Sequence, residues 1–326
     1  MSDIVRFGIL GAANFARRQM APAIHSATGA TLTAIATRTA EKANTFKDIQ
    51  PDLQVFDDYE ALISSDLIDA VYIPLPNHLH VEWSLKALKA GKHVLCEKPM
   101  AMRAADYDDL IAARDDSGKL AAEAFMIVHH PQWIKAREIL ADGTLGELLH
   151  ADAYFSFNNA SDVDNIRNQP GMGGGGLRDI GVYAFGSVRY ATGQEPVELT
   201  SRLVSEQDFD TMAWMQGRFP GFGYQAMVST RMAKRQAVTF QGTKGVMTLS
   251  APFNAGVFDQ AEIVLDLAEG DRRILRYPGV NQYVLQVEAF CRAANGHESY
   301  AWPLEQARGT QAMIDTALAG ERIATE

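Results

Sequence analysis

The sequence predicts an α/β protein: an N-terminal doubly wound parallel sheet, followed by an α+β domain with a large open, mainly antiparallel sheet. Three observations carry this. Short apolar runs alternate with helical patterns over the first 125 residues, strand-like runs dominate from about Glu147, and a glycine turn closes the first strand. Strands alternating with helices imply right-handed crossovers and a sheet covered on both faces. The expected domains are residues 1–124 and 125–326, with the C-terminal helix free to pack back on the first.

In order, Val5–Leu10 reads as a strand and Asn14–Ala27 as a helix; Thr31–Thr37 is the second strand and Ala40–Phe46 its helix. Asp69–Pro74 is a strand, His78–Ala90 a helix that Gly91 stops, and His93–Cys96 a strand. Arg103–Asp116 is helical with Gly118 beyond its end, and Leu120–Phe125 is a further apolar segment. Pro131 opens a helix over Gln132–Ala141. Strand-like runs follow at Leu148–Phe157, Val197–Ser205, Thr211–Arg218, Tyr224–Thr230, Ala237–Gln241, Val246–Ser250, Glu262–Asp266 and Arg273–Tyr277. Many alternate apolar and polar residues, as in a sheet with one covered face. Helices are expected at Leu177–Ala191, Tyr283–Ala294 and about Leu304–Ala319. The second face of this sheet needs a cover, so a homodimer or homotetramer joined through it is expected.

Composition excludes several classes. Of 326 residues, 47% are hydrophobic and 21% charged, which is ordinary for a globular chain with two domains. Lys plus Arg is 30 and Asp plus Glu is 40, a net charge of -10, so nucleic acid is a poor partner. Two cysteines, Cys96 and Cys291, make no disulfide framework and point to a reducing compartment. No secretory pattern opens the sequence, and no apolar run reaches the ~18 residues of a membrane span. A cytoplasmic protein is expected. His129 and His130 are adjacent and lack a third ligand at matching spacing, so no metal is expected.

The first strand ends in Gly11-Ala12-Ala13-Asn14-Phe15-Ala16. Read against G-x-G-x-x-G, the register is Gly11, Ala13, Ala16. Gly11 permits the tight turn, a small residue at 13 lets a pyrophosphate approach, and a small residue at 16 allows close helix–strand packing. The helix start then offers free N–H groups to phosphate. An ordinary tight turn is the plain alternative; the position after the first strand and before a helix favours a dinucleotide. The second strand ends Ala36-Thr37-Arg38-Thr39, with no acid before Glu41 to hold a ribose 2′-hydroxyl. Arg38 and Thr37 instead suit a 2′-phosphate, so NADP is expected, with NAD possible.

Lys98 follows strand His93–Cys96 in Glu97-Lys98-Pro99, at the carboxyl edge where doubly wound sheets bind ligands. Its charge can polarise a substrate oxygen and favour deprotonation of a neighbouring acid. Asn77 and His80 lie at the end of another strand and are cofactor-edge candidates, although a helix cap and a structural histidine explain them equally well. Asp179 and Tyr183 follow Gly173-Gly174-Gly175-Gly176 and are four apart, on one helix face. The glycines let backbone approach a ligand closely. Tyr183 can donate and accept a proton at an alcohol carbon. Trp302 and Phe155 are candidates for lining the substrate side.

Together these residues resemble the glucose–fructose oxidoreductase / inositol dehydrogenase / MocA family. The matching pieces are Gly8-Ile9-Leu10-Gly11-Ala12-Ala13, Ala36-Thr37-Arg38, Pro76-Asn77-His78-Leu79-His80, Gly91 through Pro99, and Gly174 through Tyr183. The resemblance implies a Rossmann domain, then a larger domain whose open sheet serves oligomerisation. It implies Lys98, Asp179 and Tyr183 as the catalytic trio. Many relatives have histidine where this chain has Tyr183; tyrosine is similar to the glucose–fructose oxidoreductase, xylose dehydrogenase and dimeric dihydrodiol dehydrogenase branch. Cofactor contacts are implied for Gly11, Ala13, Asn14, Phe15, Thr37, Arg38, Pro76, Asn77, His80, Glu97 and Lys98, and by looser matches for Arg167 and Tyr283. The implied activity is hydride transfer between nicotinamide and a secondary alcohol or carbonyl of a sugar or sugar-like polyol. A non-catalytic NADP-binding regulator and a glycosidase using transient oxidation are the alternatives.

Overall fold

The computed structural model describes residues 4–323. Two compact units are present. One runs through Met126 and includes Asn281–Arg308; the other is Ile127–Val280 with the chain from Gly309 onward. The expected second span, 125–326, is thus interrupted, because residues 281–308 belong with the first unit.

The first unit begins β1 (Val5–Leu10), then a π-helical stretch, Ala16–Met20, that continues as α1 (Ala21–Ser26). It proceeds through β2 (Ala30–Ala36), α2 (Ala40–Lys47), β3 (Gln54–Phe56), α3 (Tyr59–Ser64) and β4 (Ala70–Ile73). It continues with α4 (His80–Lys89), β5 (His93–Cys96), α5 (Asp106–Ser117) and β6 (Ala121–Glu123). All six strands are parallel, in the order β3-β2-β1-β4-β5-β6. The central strands are apolar throughout because both faces are covered: Phe7, Ile9, Leu10, Val71, Tyr72, Ile73, Val94 and Leu95 are all fully buried. The order reverses between β1 and β4, the switch point at which such sheets bind ligands.

The second unit holds α6 (Pro131–Ala141), β7 (Leu148–Asn158) and a helix that opens as a π-helical Leu177–Gly181 before α7 (Val182–Thr192). Strands β8 (Glu198–Glu206), β9 (Phe209–Phe219), β10 (Phe222–Ser229), β11 (Arg231–Gly242), β12 (Gly245–Leu249), β13 (Ala261–Leu267) and β14 (Arg272–Tyr277) follow. The chain then returns to the first unit as α8 (Gln282–Ala294). Next comes α9 (Leu304–Leu318), which belongs to that unit only up to Arg308, and the chain ends in β15 (Glu321–Ile323) within the second unit. The nine-stranded sheet runs β14-β13-β12-β11-β7-β10-β9-β8-β15. Among the described residues, only the β7–β10 and β8–β15 pairs of this sheet are parallel. Helices α6 and α7 lie on one face. Alternation sorts the strands: Ala213, Met215, Tyr224, Ala226, Ala151 and Ala153 are buried, whereas Trp214, Gln216 and Gln225 of the same strands are exposed.

Segment 281–308 completes the first core. Helix α8 packs on α1 and β2, and the Phe290 ring lies 5.5 Å from that of Phe7. Trp302, a candidate for the substrate side, is instead 1% exposed, tilted against Phe125 with ring centroids 4.7 Å apart, with its Nε1–H donating to Glu123 Oε1 at 3.3 Å. Trp302→Ala is expected to lower the unfolding free energy by about 3–5 kcal/mol, the usual cost of emptying a buried tryptophan site. Urea titration followed by circular dichroism checks this, and an unchanged midpoint would contradict it.

Candidate active site

In the first unit the glycine turn is built as a cradle. Gly11 has φ +92, and a Cβ there would meet Leu75 Cδ2 at 3.0 Å and the Tyr59 hydroxyl at 3.3 Å. Its N–H donates to Ala36 O at 2.9 Å, tying β1 to β2. Ala13 is half-buried and Asn14 and Phe15 are exposed at the helix start. The turn of that helix is wider than α, since Ala16–Met20 is π-helical. With the Gly11 N–H used between the strands, the backbone N–H groups of Ala13 to Phe15 remain at the carboxyl edge of β1, which fits a dinucleotide pyrophosphate. The Phe15 ring stands edge-on to Tyr283 at 5.7 Å, so two expected cofactor residues meet. Burial pushes the Tyr283 phenol up, and the nearby Glu97 charge adds to this.

At the end of β2, Thr37 is nearly buried and its hydroxyl accepts the Thr39 N–H at 3.3 Å. Arg38 is exposed. Its charge reaches Tyr59, pulling down a phenol that burial raises. Tyr59 was not singled out from the sequence. Its signal is Asp58, whose side chain caps α3 by accepting the Ala61 N–H and so fixes Tyr59 at the first helical position.

The ends of β4 and β5 are locked by polar bonds. The Tyr72 hydroxyl donates to Glu97 Oε1 at 2.7 Å, and the Lys98 N–H donates to Glu97 Oε2 at 3.3 Å. Burial raises the Glu97 carboxyl; the Lys98 ammonium and the Tyr72 bond pull it back. Lys98 itself is half-buried. Beyond it, the Met100 N–H and the Tyr107 hydroxyl donate to Glu123 Oε2 at 2.9 and 2.8 Å. His80 differs from the expectation of a cofactor-edge residue. It is fully buried, with Nδ1 2.8 Å from Pro99 O and Nε2 2.7 Å from Leu75 O. Both partners only accept, which favours the doubly protonated ring, whereas burial lowers the pKa. Its place is to fasten the segment after β4 to the residue after Lys98. Pro76 and Asn77 are half-buried in that segment. Asn77 opens the 3-10 turn Asn77–Leu79 that leads into α4, whose cap position is Leu79.

In the second unit, Asp179 sits in the π-helical stretch and Tyr183 just inside α7; they are 7% and 6% exposed. Arg167 Nε pairs with Asp179 Oδ2 at 2.5 Å, and Asn165 caps the Arg167 N–H. Arg167 thus meets Asp179 rather than standing alone. Tyr183 packs in an aromatic triangle with Phe155 (5.6 Å) and Phe253 (5.5 Å), themselves stacked at 5.0 Å. The glycine run does not make room for a ligand at Gly174. A Cβ there would meet the carbonyl oxygens of Arg167, Ile166 and Gln169 at 2.6, 2.8 and 2.9 Å.

His130 Nδ1 accepts the Gln132 N–H at 3.1 Å and caps α6, and burial lowers its pKa to about 4. Among the described residues no group of three His, Cys, Asp or Glu side chains gathers as a metal site, and no helix is long and apolar enough to cross a membrane.

Two family domains match this chain. The Gfo/Idh/MocA oxidoreductase domain with an NAD-binding Rossmann fold matches residues 5–125, and the Gfo/Idh/MocA C-terminal domain matches residues 133–248. An uncharacterized oxidoreductase of Rhizobium meliloti, ORF334, is 37% identical over 96% of both chains. D-xylose 1-dehydrogenase (NADP(+)) 2 of Haloferax volcanii is 31% identical over 95% of both. Among solved structures, KijD10, a 3-ketoreductase from Actinomadura kijaniata in complex with NADP and TDP-benzene, superimposes with a TM-score of 0.89 at 29% identity, covering 98% of each chain. Variants of KijD10 with a tyrosine replaced by phenylalanine, or a lysine by alanine or glutamate, have also been solved. With both parts matched and a relative at 37% identity over nearly the full length, the chain belongs to the Gfo/Idh/MocA family of NAD(P)-dependent oxidoreductases.

Proposed function

We propose that the protein is an NADP-dependent dehydrogenase or reductase acting on a secondary alcohol or carbonyl of a sugar or sugar-like polyol, of the aldose or dihydrodiol dehydrogenase type. The observation that carries this reading is the full-length likeness to NADP-linked enzymes of sugars, joined to an exposed Arg38 where an NAD site would carry an acid. Relatives are named for a dTDP-didehydro-dideoxyglucose, D-xylose, 1,5-anhydro-D-fructose and scyllo-inositol, all carriers of ring or chain alcohols.

Bound NADP supplies the hydride donor or acceptor. Gly11 gives the tight turn that lets the pyrophosphate approach, Ala13, Asn14 and Phe15 hold that pyrophosphate by backbone N–H groups, and Thr37 and Arg38 hold the 2′-phosphate. Pro76, Asn77 and Tyr283 line the cofactor, with Glu97 and His80 behind them as supports of the Lys98 segment. Lys98 polarises the reacting oxygen, Tyr183 takes or gives the hydroxyl proton, and Asp179, tied to Arg167, orients substrate or tyrosine. Lysine and tyrosine are also the residue types replaced in solved KijD10 variants. The enzyme works in the cytoplasm, where its free thiols Cys96 and Cys291 suit a reducing compartment. It associates as a homodimer or homotetramer through the sheet face that bears Trp214, 41% exposed.

Three outcomes test this. In a panel of aldoses, inositols and diols, Lys98→Met loses about 100-fold or more of turnover while NADPH still binds, read by cofactor absorbance and by fluorescence titration. Unaltered turnover removes Lys98 from the chemistry, and turnover with no net change in reduced cofactor would indicate transient oxidation instead. Arg38→Ala lowers the ratio of NADP to NAD affinity by about 10- to 100-fold, the worth of a charged hydrogen bond; an unchanged ratio sinks the 2′-phosphate assignment. Sedimentation at micromolar protein shows an oligomer, and a monomer there overturns the association.

A further inference from the structure

Two of the four glycines before the Asp179–Tyr183 helix, Gly175 and Gly176, rest on one carboxylate that the mechanism above does not use. Asp210 comes from β9 and is 3% exposed. Its Oδ2 accepts the Leu177 N–H at 2.7 Å. Gly175 has φ +116, and a Cβ added there would collide with Asp210 Oδ1. At Gly176 a Cβ would lie 3.2 Å from Oδ2. Oδ1 has no hydrogen-bond partner among the described residues, so contact with the glycine backbone is what occupies it. These glycines are small because a side chain of the same protein fills the space beneath them.

The carboxylate also connects to the residues proposed for chemistry. The Gly175 N–H donates to Arg167 O at 3.0 Å, and the Asp179 N–H donates to Gly175 O at 3.3 Å. Arg167 in turn pairs with Asp179 at 2.5 Å. Gly175 is therefore the common point from which both members of that pair are held, and Asp210 fixes Gly175 and Leu177 together. A carboxylate under a helix start is favoured by the N–H groups aimed at it and by the dipole. Burial opposes it by raising its pKa, and the Leu177 N–H and the Arg178 charge work the other way.

We propose that Asp210 is a positioning residue for the reaction: by accepting the Leu177 N–H and filling the space under Gly175, it holds Asp179, Tyr183 and Arg167 in one arrangement. This rests on the reading of Asp179 and Tyr183 as reacting groups. D210N keeps an acceptor of the same shape, whereas D210A removes it and leaves the Leu177 N–H orphaned in the interior.

The test uses the full-length protein with NADP and whichever sugar or polyol the panel identifies. In D210A, amide exchange of the peptide spanning 174–183 speeds by about 10-fold or more, as for a lost buried hydrogen bond. The kcat falls by about 10- to 100-fold, while KM for NADP stays within about twofold. D210N restores kcat to within about fivefold of the parent, since its acceptor remains. Should D210A fail to fold, D210S replaces it, because its shorter hydroxyl cannot reach Leu177, and the same losses are expected. Parental exchange in 174–183, or a kcat within about twofold of the parent, overturns the proposal. So do equal losses in D210N and D210A, because the acceptor would then not be what matters. If no compound is turned over by the parent enzyme, the proposed function fails by itself, and the exchange result alone decides whether Asp210 fixes the turn.

Discussion

Where the central strands of a parallel sheet covered on both faces end, the polar groups that are buried have to be answered from within the protein. The first unit shows how far this reaches. Tyr72 sits at the heart of β4 with its hydroxyl on Glu97, and Glu97 in turn receives the Lys98 backbone. Glu123 at the end of β6 gathers the Met100 N–H, the Tyr107 hydroxyl and the Trp302 indole. His80 bridges two carbonyls. None of these bonds is strong alone, since net contributions run at roughly 1 kcal/mol each, but an orphaned partner costs more. The loops at the carboxyl edge are thereby kept in one conformation, which is what a binding edge requires.

The second unit meets the same requirement at a helix start. The first N–H groups of a helix lack internal partners, and here a buried aspartate accepts one of them. Both helices that follow glycine turns also begin with π-helical stretches, Ala16–Met20 and Leu177–Gly181. The wider turn is a departure from the α-helices expected over these residues, and π-bulges of this kind gather at functional positions.

Most of the fold was legible in the sequence because the buried strands are near-continuous apolar runs and the one-sided sheet alternates. What escaped notice has physical reasons. β3 (Gln54–Phe56) has three residues and an exposed edge, so its pattern is too short to register. β11 begins at Arg231, yet Arg231-Met232-Ala233-Lys234-Arg235 carries no alternation; pairing with β7 holds it across a register shift between Arg231 and Arg235. The interrupted second span was invisible because α8 is amphipathic whichever core it faces. Of the candidate site, the Gly11 turn, the Lys98 strand end and the Asp179–Tyr183 spacing could be read from local chemistry. The roles of His80 and of the glycine run could not, because the partners that define them, Pro99 and Leu75, or Asp210, are identified only by the three-dimensional fold. Asp210 follows Phe209 in an apolar strand, and a carboxylate entering a strand was the one available signal.

The return of residues 281–308 to the first unit sets the order in which the protein can mature on the ribosome. Phe7 waits for Phe290, Phe125 waits for Trp302, and the Thr28 N–H waits for Glu288 Oε1, 3.0 Å away. A nascent chain that has emerged only as far as Met126 carries a sheet with part of its cover missing. Its apolar surface stays uncovered through synthesis of the whole intervening unit. The Rossmann unit precedes the second unit in this chain, yet it is closed only by residues that follow it.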